Sequence, residues 1–271
     1  MPVLSPDDHA FFDEHGYVIV HDAVPREDLD ALLEMIDRLV GLDPSTWYKP
    51  PHHDGAFIEA YQQQALWNTR QRPRVHAAFA GLFGTEKVTV GVDRASMNLP
   101  IHPDHPGFGE SLPMHWDVRM DGSDDGRLGL QGVLAITDTT EDMGGVACVP
   151  GVHKRVAEIV ARQGPGFNGM RPELGDLKAK AIPMKAGDLL IWTVRLLHGS
   201  LENRSGRPRL AQYIKFGRAS DSVTPEQYAQ RKKVFATGAP PARCKDNAQV
   251  EQPRQWACRP DHQPNLTELV S

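Results

Sequence analysis

The strongest constraint on the fold is a change of period near residue 86. From there to about residue 220 the chain breaks into short segments rich in β-branched and apolar residues: "KVTVGVDRASMNL", "GRLGLQGVLAITDT", "GVACVPG", "KAKAIPM", "GDLLIWTVRLLHGS" and "RLAQYIKFGRA". Gly, Pro, Asp and Asn punctuate them, the grammar of strands separated by turns. The pattern predicts a β-sandwich or barrel with helices packed on its outside.

The residues before this change read differently. Ser5-Pro6-Asp7-Asp8 carries a capping hydroxyl, a proline at the first helical position and acids in the first turn, and Gly16 is a plausible C-cap. "YVIVHDAV" is strand-like, and "PREDLDALLEMIDRLVG" repeats the helix grammar with Leu29, Leu32, Leu33, Ile36, Leu39 and Val40 on one stripe. A polar, aromatic-dotted loop is expected from Asp43 to about Asp54, and a third helix from near Pro73 in "RPRVHAAFAGLFG". Beyond Thr224 the chain is polar, with a helical piece near "TPEQYAQRKKVF" and a loop-rich tail. The expectation is one domain over 1–271, with a helical lead over 1–85, a barrel core over 86–220 and an extension over 221–271.

Composition narrows the partners. A net charge of −5 argues against nucleic acid, which usually selects a basic stripe. No run approaches the roughly 18 apolar residues of a membrane helix. The acidic N-terminus "MPVLSPDDHAFFDEHG" lacks a signal peptide's apolar core. Three cysteines, Cys148, Cys244 and Cys258, make no C-x-x-C unit and read as reduced thiols of a cytoplasmic protein. The expected partner is a small molecule, neither nucleic acid nor membrane, with the oligomeric state left open.

The chemistry is concentrated in two stretches. In "LPMHWDVRM", His115 and Asp117 stand one residue apart, so on a strand they face one side and Trp116 the other. In "KAGDLLIWTVRLLHGSLENRSGRPRLAQYI" an apolar run burying Leu190, Trp192 and Val194 delivers His198 to its mouth, and Arg209 follows eleven residues later. Two histidines and one carboxylate occupy one face of an octahedron and leave three cis positions, the geometry of non-haem Fe(II) oxygenases. A 2-oxo acid fills two of them and dioxygen the third. Arg suits the far carboxylate of such a co-substrate because its fork makes two parallel bonds and keeps its proton. Charges then balance: ferrous iron with Asp117 leaves one positive charge, a 2-oxo diacid brings two negative ones, and Arg209 restores neutrality.

These stretches, with "FFDEHGYVIV" and "EDMGGVACVPGVHK", resemble the phytanoyl-CoA dioxygenase family of Fe(II)/2-oxoglutarate oxygenases. Val152 stands where family members often have Ser, a position outside the iron ligands. The resemblance implies a double-stranded β-helix, a cupin-like jelly-roll barrel that is mainly β with flanking helices. It implies His115, Asp117 and His198 as catalytic iron ligands, Arg209 on the distal carboxylate of 2-oxoglutarate with Ser200 beside it, and Gln131 lining the co-substrate pocket. The implied reaction uses O2 and 2-oxoglutarate to hydroxylate a substrate carbon, with desaturation, epoxidation and ring formation as alternatives on the same centre. A halogenase would replace Asp117 by Gly or Ala, and a non-catalytic binding barrel would have no need of the four groups together.

Other histidines read more plainly. His153 is expected to cap the helix after Lys154-Arg155, "HPDHPGFGE" with His102 and His105 to form a rigid loop over the barrel mouth, and "HHDG" at 52–55 to be a lid or surface loop. Substrate-wall candidates are Arg94, Met97, Trp116 and Arg119, with loop residues between 43 and 64; Trp116 and Trp192 suit core or wall equally.

Overall fold

The computed structural model describes residues 2–48, 57–58, 61, 63–120 and 129–219, with residues 224–226, 229 and 233. "HHDG", most of "TPEQYAQRKKVF", Cys244 and Cys258 lie outside the described residues.

The helices are α1 (Pro6–His15), α2 (Arg26–Val40), α3 (Gln64–Arg70), α4 (Pro73–Phe83) and α5 (Val156–Ala161). The strands are β1 (Tyr17–Val20), β2 (Phe57–Ile58), β3 (Val88–Val90), β4 (Ala95–Asn98), β5 (Leu112–His115) and β6 (Leu130–Ala135). They continue with β7 (Val146–Cys148), β8 (Lys180–Ala181), β9 (Leu189–Thr193), β10 (His198–Ser200), β11 (Arg209–Ile214) and β12 (Phe216–Arg218). A six-stranded sheet runs β1-β9-β6-β11-β4-β2, a four-stranded sheet β5-β10-β7-β8, and β12 pairs with β3. Every pairing is antiparallel. This is the double-stranded β-helix in which two sheets face each other.

Side-chain alternation divides the core in two. On the six-stranded sheet Met97, Leu130, Leu134, Leu189, Ile191, Leu210 and Ile214 turn outwards into one cluster with α2, α3 and α4. Their neighbours Val133, Ala135, Leu190, Trp192 and Ala211 turn inwards and meet Cys148 and Val149 from the opposing sheet. Both faces of the large sheet are therefore buried, which is why its strands read as near-continuous apolar runs. Each fully buried Leu, Ile or Val contributes roughly 1.5–3 kcal/mol.

The lead supplies more than helices. β1 and β2 form the two edges of the large sheet, so the barrel takes strands from before residue 86. Ser5 caps α1 through a complete capping box with Asp8, and Gly16 closes it in the left-handed conformation. His153 packs against Gly16, where a Cβ would lie 2.5 Å from its Nδ1, and its Nε2 bonds Asp13 O at 3.2 Å. Its role is thus to dock the N-terminal helix. Arg72 binds buried Asp28 through two 2.6 Å hydrogen bonds, joining α4 to α2. Gln212, on the outer face of β11, donates to Leu66 O and accepts from Thr69, which ties α3 to the sheet. Among the described residues no helix is long and apolar enough to cross a membrane.

Candidate metal centre

The two histidines meet because their strands pair. β5 and β10 are antiparallel neighbours with His115 directly opposite His198, which sets cross-strand side chains side by side. Their ring centroids are 4.8 Å apart. His198 does not end the apolar strand as the sequence suggested. That run stops at Thr193, the chain turns, and His198 opens β10 in the opposing sheet. Asp117 lies just past the end of β5, with Oδ1 3.3 Å from His115 Nε2 and Oδ2 3.6 Å from His198 Nε2. One ligand atom from each residue falls within 4.8 Å of the others, and among the described residues this is the group that could hold a metal ion.

The surroundings fit a metal. His115 Nδ1 donates to Pro113 O and His198 Nδ1 to Leu196 O, each at 2.9 Å. A carbonyl only accepts, so both rings hold a proton on Nδ1 and turn Nε2 towards Asp117, where it carries a proton in the imidazolium form and a lone pair in the neutral form that binds metals. Gln131 donates to Asp117 Oδ2. Hydrogen bonds from His115, His198 and Gln131 hold the Asp117 carboxyl well below the usual carboxylate range. The same contact with Asp117 raises His115. An anionic oxygen and two oriented imidazoles make a donor set suited to a divalent transition metal.

The triad opens on a cavity of about 460 Å³. Arg209, Gln131 and Trp192 enter it from the large sheet, and Ser200 and Leu112 from the small one. Arg209 is 5% exposed. Its Nη1 donates to Ser96 Oγ at 3.2 Å and its Nη2 to Gly144 O at 3.4 Å, while its Nε has no partner. A buried guanidinium facing a cavity, with no carboxylate against it among the described residues, has the chemistry to receive an anion.

The remaining expectations divide. Arg94 lines the cavity, stacked over Phe57 and bonded to the Tyr61 hydroxyl. Met97 does not. Ser96 and Asn98 face inwards on β4, so parity turns Met97 into the helix-covered core. Trp116 is fully buried and donates to Arg195 O, and Arg119 is exposed, both away from the cavity lining. Ser200 Oγ accepts from Leu112 N at 3.2 Å. His102 and His105 cluster on Tyr48, His105 lying flat against its ring, while Gly107, Gly109, Glu110 and Ser111 of the same loop line the cavity. Sequence reasoning passed over Ser96, Asn98 and Gly144, which surround Arg209. It also passed over Tyr213 on the cavity wall, whereas Phe57 there belongs to the 43–64 stretch expected to supply wall residues. Tyr213 was within reach, since it stands four residues after Arg209 on one strand face.

Comparison with known proteins agrees with this geometry. The phytanoyl-CoA dioxygenase family model matches residues 12–211. A Dictyostelium discoideum protein named for phytanoyl-CoA dioxygenase is 26% identical over 276 residues, covering 83% of this chain and 78% of that protein. The 1-deoxypentalenic acid 11-beta-hydroxylase of Streptomyces arenae is 29% identical over 223 residues, covering 73% and 75% of the two chains. The solved epimerase SnoN, in complex with Fe3+, alpha ketoglutarate and nogalamycin RO, shares the fold with a TM-score of 0.61 at 17% identity, over 90% of this chain and 96% of that one.

Proposed function

Since the chain belongs to the phytanoyl-CoA dioxygenase family of Fe(II)/2-oxoglutarate-dependent oxygenases, we propose that His115, Asp117 and His198 hold its iron and that Arg209 holds the far carboxylate of 2-oxoglutarate. The reaction class is oxidation of a small molecule at a C–H bond, with 2-oxoglutarate converted to succinate. Hydroxylation is the reading preferred here, supported by the Streptomyces relative named as a hydroxylase.

When bound, iron supplies the activation of dioxygen. The chain's own groups do the rest. His115 and His198 keep their protons on Nδ1, bonded to Pro113 O and Leu196 O, so Nε2 stays available as a donor. Gln131 fixes the rotation of the Asp117 carboxylate. Arg209, itself buried, supplies the positive charge that a dianionic co-substrate lacks. Phe57, Trp192 and Tyr213 form an apolar wall of the cavity, with Arg94 and Lys215 near them. The substrate is proposed to be a small molecule with an apolar body.

The single observation that carries this reading is the convergence of His115, Asp117 and His198 on a cavity that the buried Arg209 also lines. The test is succinate formation by the purified protein with Fe(II), ascorbate and 2-oxoglutarate across a metabolite library. Succinate that needs both Fe(II) and oxygen, with a product 16 mass units heavier than its substrate, is expected for hydroxylation. Absence of succinate above the protein-free control, together with no binding of 2-oxoglutarate, refutes the assignment.

A further inference from the structure

The hydrogen bonds behind Arg209 converge on a residue outside the cavity lining. Asn203 is fully buried. Its Nδ2 donates to Asn98 O at 2.8 Å and to Arg207 O at 2.9 Å, while Oδ1 accepts from Ser205 N and Ser205 Oγ. Its backbone N–H donates to Gly109 O at 2.8 Å, and its carbonyl accepts from Ile101 N at 2.9 Å. Asn98 in turn donates to Gly144 O at 3.0 Å, the same oxygen that Arg209 Nη2 reaches.

Asn203 and Asn98 together therefore brace three supports of the guanidinium. The first is the end of β4, which carries Ser96 and Asn98. The second is the turn that launches β11, through Arg207, two residues before Arg209. The third is the Gly144 loop, which is packed too closely for any side chain. Gly144 has φ +66°, and a Cβ there would lie 2.3 Å from Asn98 Nδ2 and 3.0 Å from Asn203 Cβ. Through its own backbone Asn203 also pins residues 101 and 109, the ends of the segment whose Gly107, Gly109, Glu110 and Ser111 line the cavity.

We propose that Asn203 is a positioning residue for 2-oxoglutarate, its carboxamide bracing the chain segments on either side of Arg209 while its backbone holds the 101–109 rim. This rests on the reading of Arg209 given above. The residue type follows from the partners. Both amide hydrogens go to carbonyl oxygens, so Asp would set a carboxylate oxygen against Asn98 O and Arg207 O, and Ala would remove both donors, leaving Arg207 O with the Ser205 hydroxyl.

The test measures equilibrium binding of 2-oxoglutarate to the Zn(II)-loaded protein by calorimetry, with zinc affinity measured separately, for Asn203→Asp, Asn98→Ala and Arg209→Ala. Asn203→Asp is expected to weaken 2-oxoglutarate by about tenfold or more and zinc by less than about twofold, as expected when hydrogen bonds orienting a charged donor are lost. Asn98→Ala removes the link to Gly144, together with a side chain that lines the cavity, and is expected to act in the same direction. The double variant is expected to lose less than the product of the two, because the residues share one path. If Arg209→Ala binds 2-oxoglutarate like the wild type, the assignment of Arg209 fails. If Arg209→Ala weakens binding while folded Asn203→Asp stays within about twofold of wild type, or loses zinc and 2-oxoglutarate in equal proportion, the role of Asn203 alone is overturned. Should Asn203→Asp not fold, Asn98→Ala decides by the same criteria.

Discussion

Replacing Arg209 by Ala is expected to weaken 2-oxoglutarate binding by about two to three orders of magnitude. Among the described residues its hydrogen bonds go only to Ser96 Oγ and Gly144 O, both neutral and both long, at 3.2 and 3.4 Å. The positive charge is thus left for an incoming anion. A charge-assisted hydrogen bond contributes about 1.5–3 kcal/mol, and two in parallel give roughly 3–5 kcal/mol, similar to the cost of breaking a buried ion pair. At about 1.4 kcal/mol per factor of ten, that is two to three and a half orders in Kd, and the lower part of the range suits a site open to some water. Lys keeps the charge and loses the fork, so Arg209→Lys is expected to fall between the two. The assay is anaerobic calorimetry on Zn(II)-loaded protein, with 2-oxobutyrate as control because it lacks the distal carboxylate. Wild type and Arg209→Ala should bind 2-oxobutyrate alike. Equal losses for both 2-oxo acids, or no loss for 2-oxoglutarate, would refute the charge argument.

Asp117→Ala removes a metal donor together with its negative charge, so iron content after reconstitution and succinate formation should both drop to background; wild-type turnover would contradict the ligand assignment. Burial holds His153 below its ordinary 6.5, so its neutral form is favoured by folding. The stability it contributes is complete above about pH 6.5 and declines as pH falls towards the lowered native value. Urea unfolding at pH 7.5 and 5.5 should therefore show a smaller pH loss for His153→Gln than for wild type, and equal losses would count against this. Burial pushes the Cys148 thiol up to about 12, so iodoacetamide at pH 8 should leave it unlabelled in native protein and label it after unfolding. Peptide mass spectrometry showing fast native labelling would mean that the strand around it opens readily.

The candidate iron site was legible as a cluster because its proposal depends on residue type and short spacing. His-x-Asp needs only one strand turn of separation, and His198 with Arg209 needs only strands of ordinary length. What the sequence concealed depends on parity and pairing. Met97 looked like a wall residue, yet its neighbours Ser96 and Asn98 take the inner face. His198 looked like the end of one long apolar run, but a turn after Thr193 moves it to the other sheet. β2 and α3 lie in a stretch where local pattern is weak. β2 is two residues long and exists by pairing with β4, and α3 is held through Thr69 and Gln212, a contact 143 residues apart in sequence. Asn203 left no local mark beyond a polar residue before a Ser-Gly turn, since its partners Asn98, Ile101 and Gly109 lie far from it in sequence.

The candidate metal donors on strands belong to the small sheet, and the guanidinium belongs to the large one. The distance a co-substrate must bridge is accordingly set by how far apart the two sheets stand. That separation is maintained by Val133, Ala135, Leu190 and Ala211 on one side and Cys148 and Val149 on the other. These aliphatic side chains act as a caliper. Changing their volume alters the gauge between cation and metal before it unfolds the barrel, so selectivity among 2-oxo diacids of different chain length can be tuned from the dry interior, by residues that never touch the ligand.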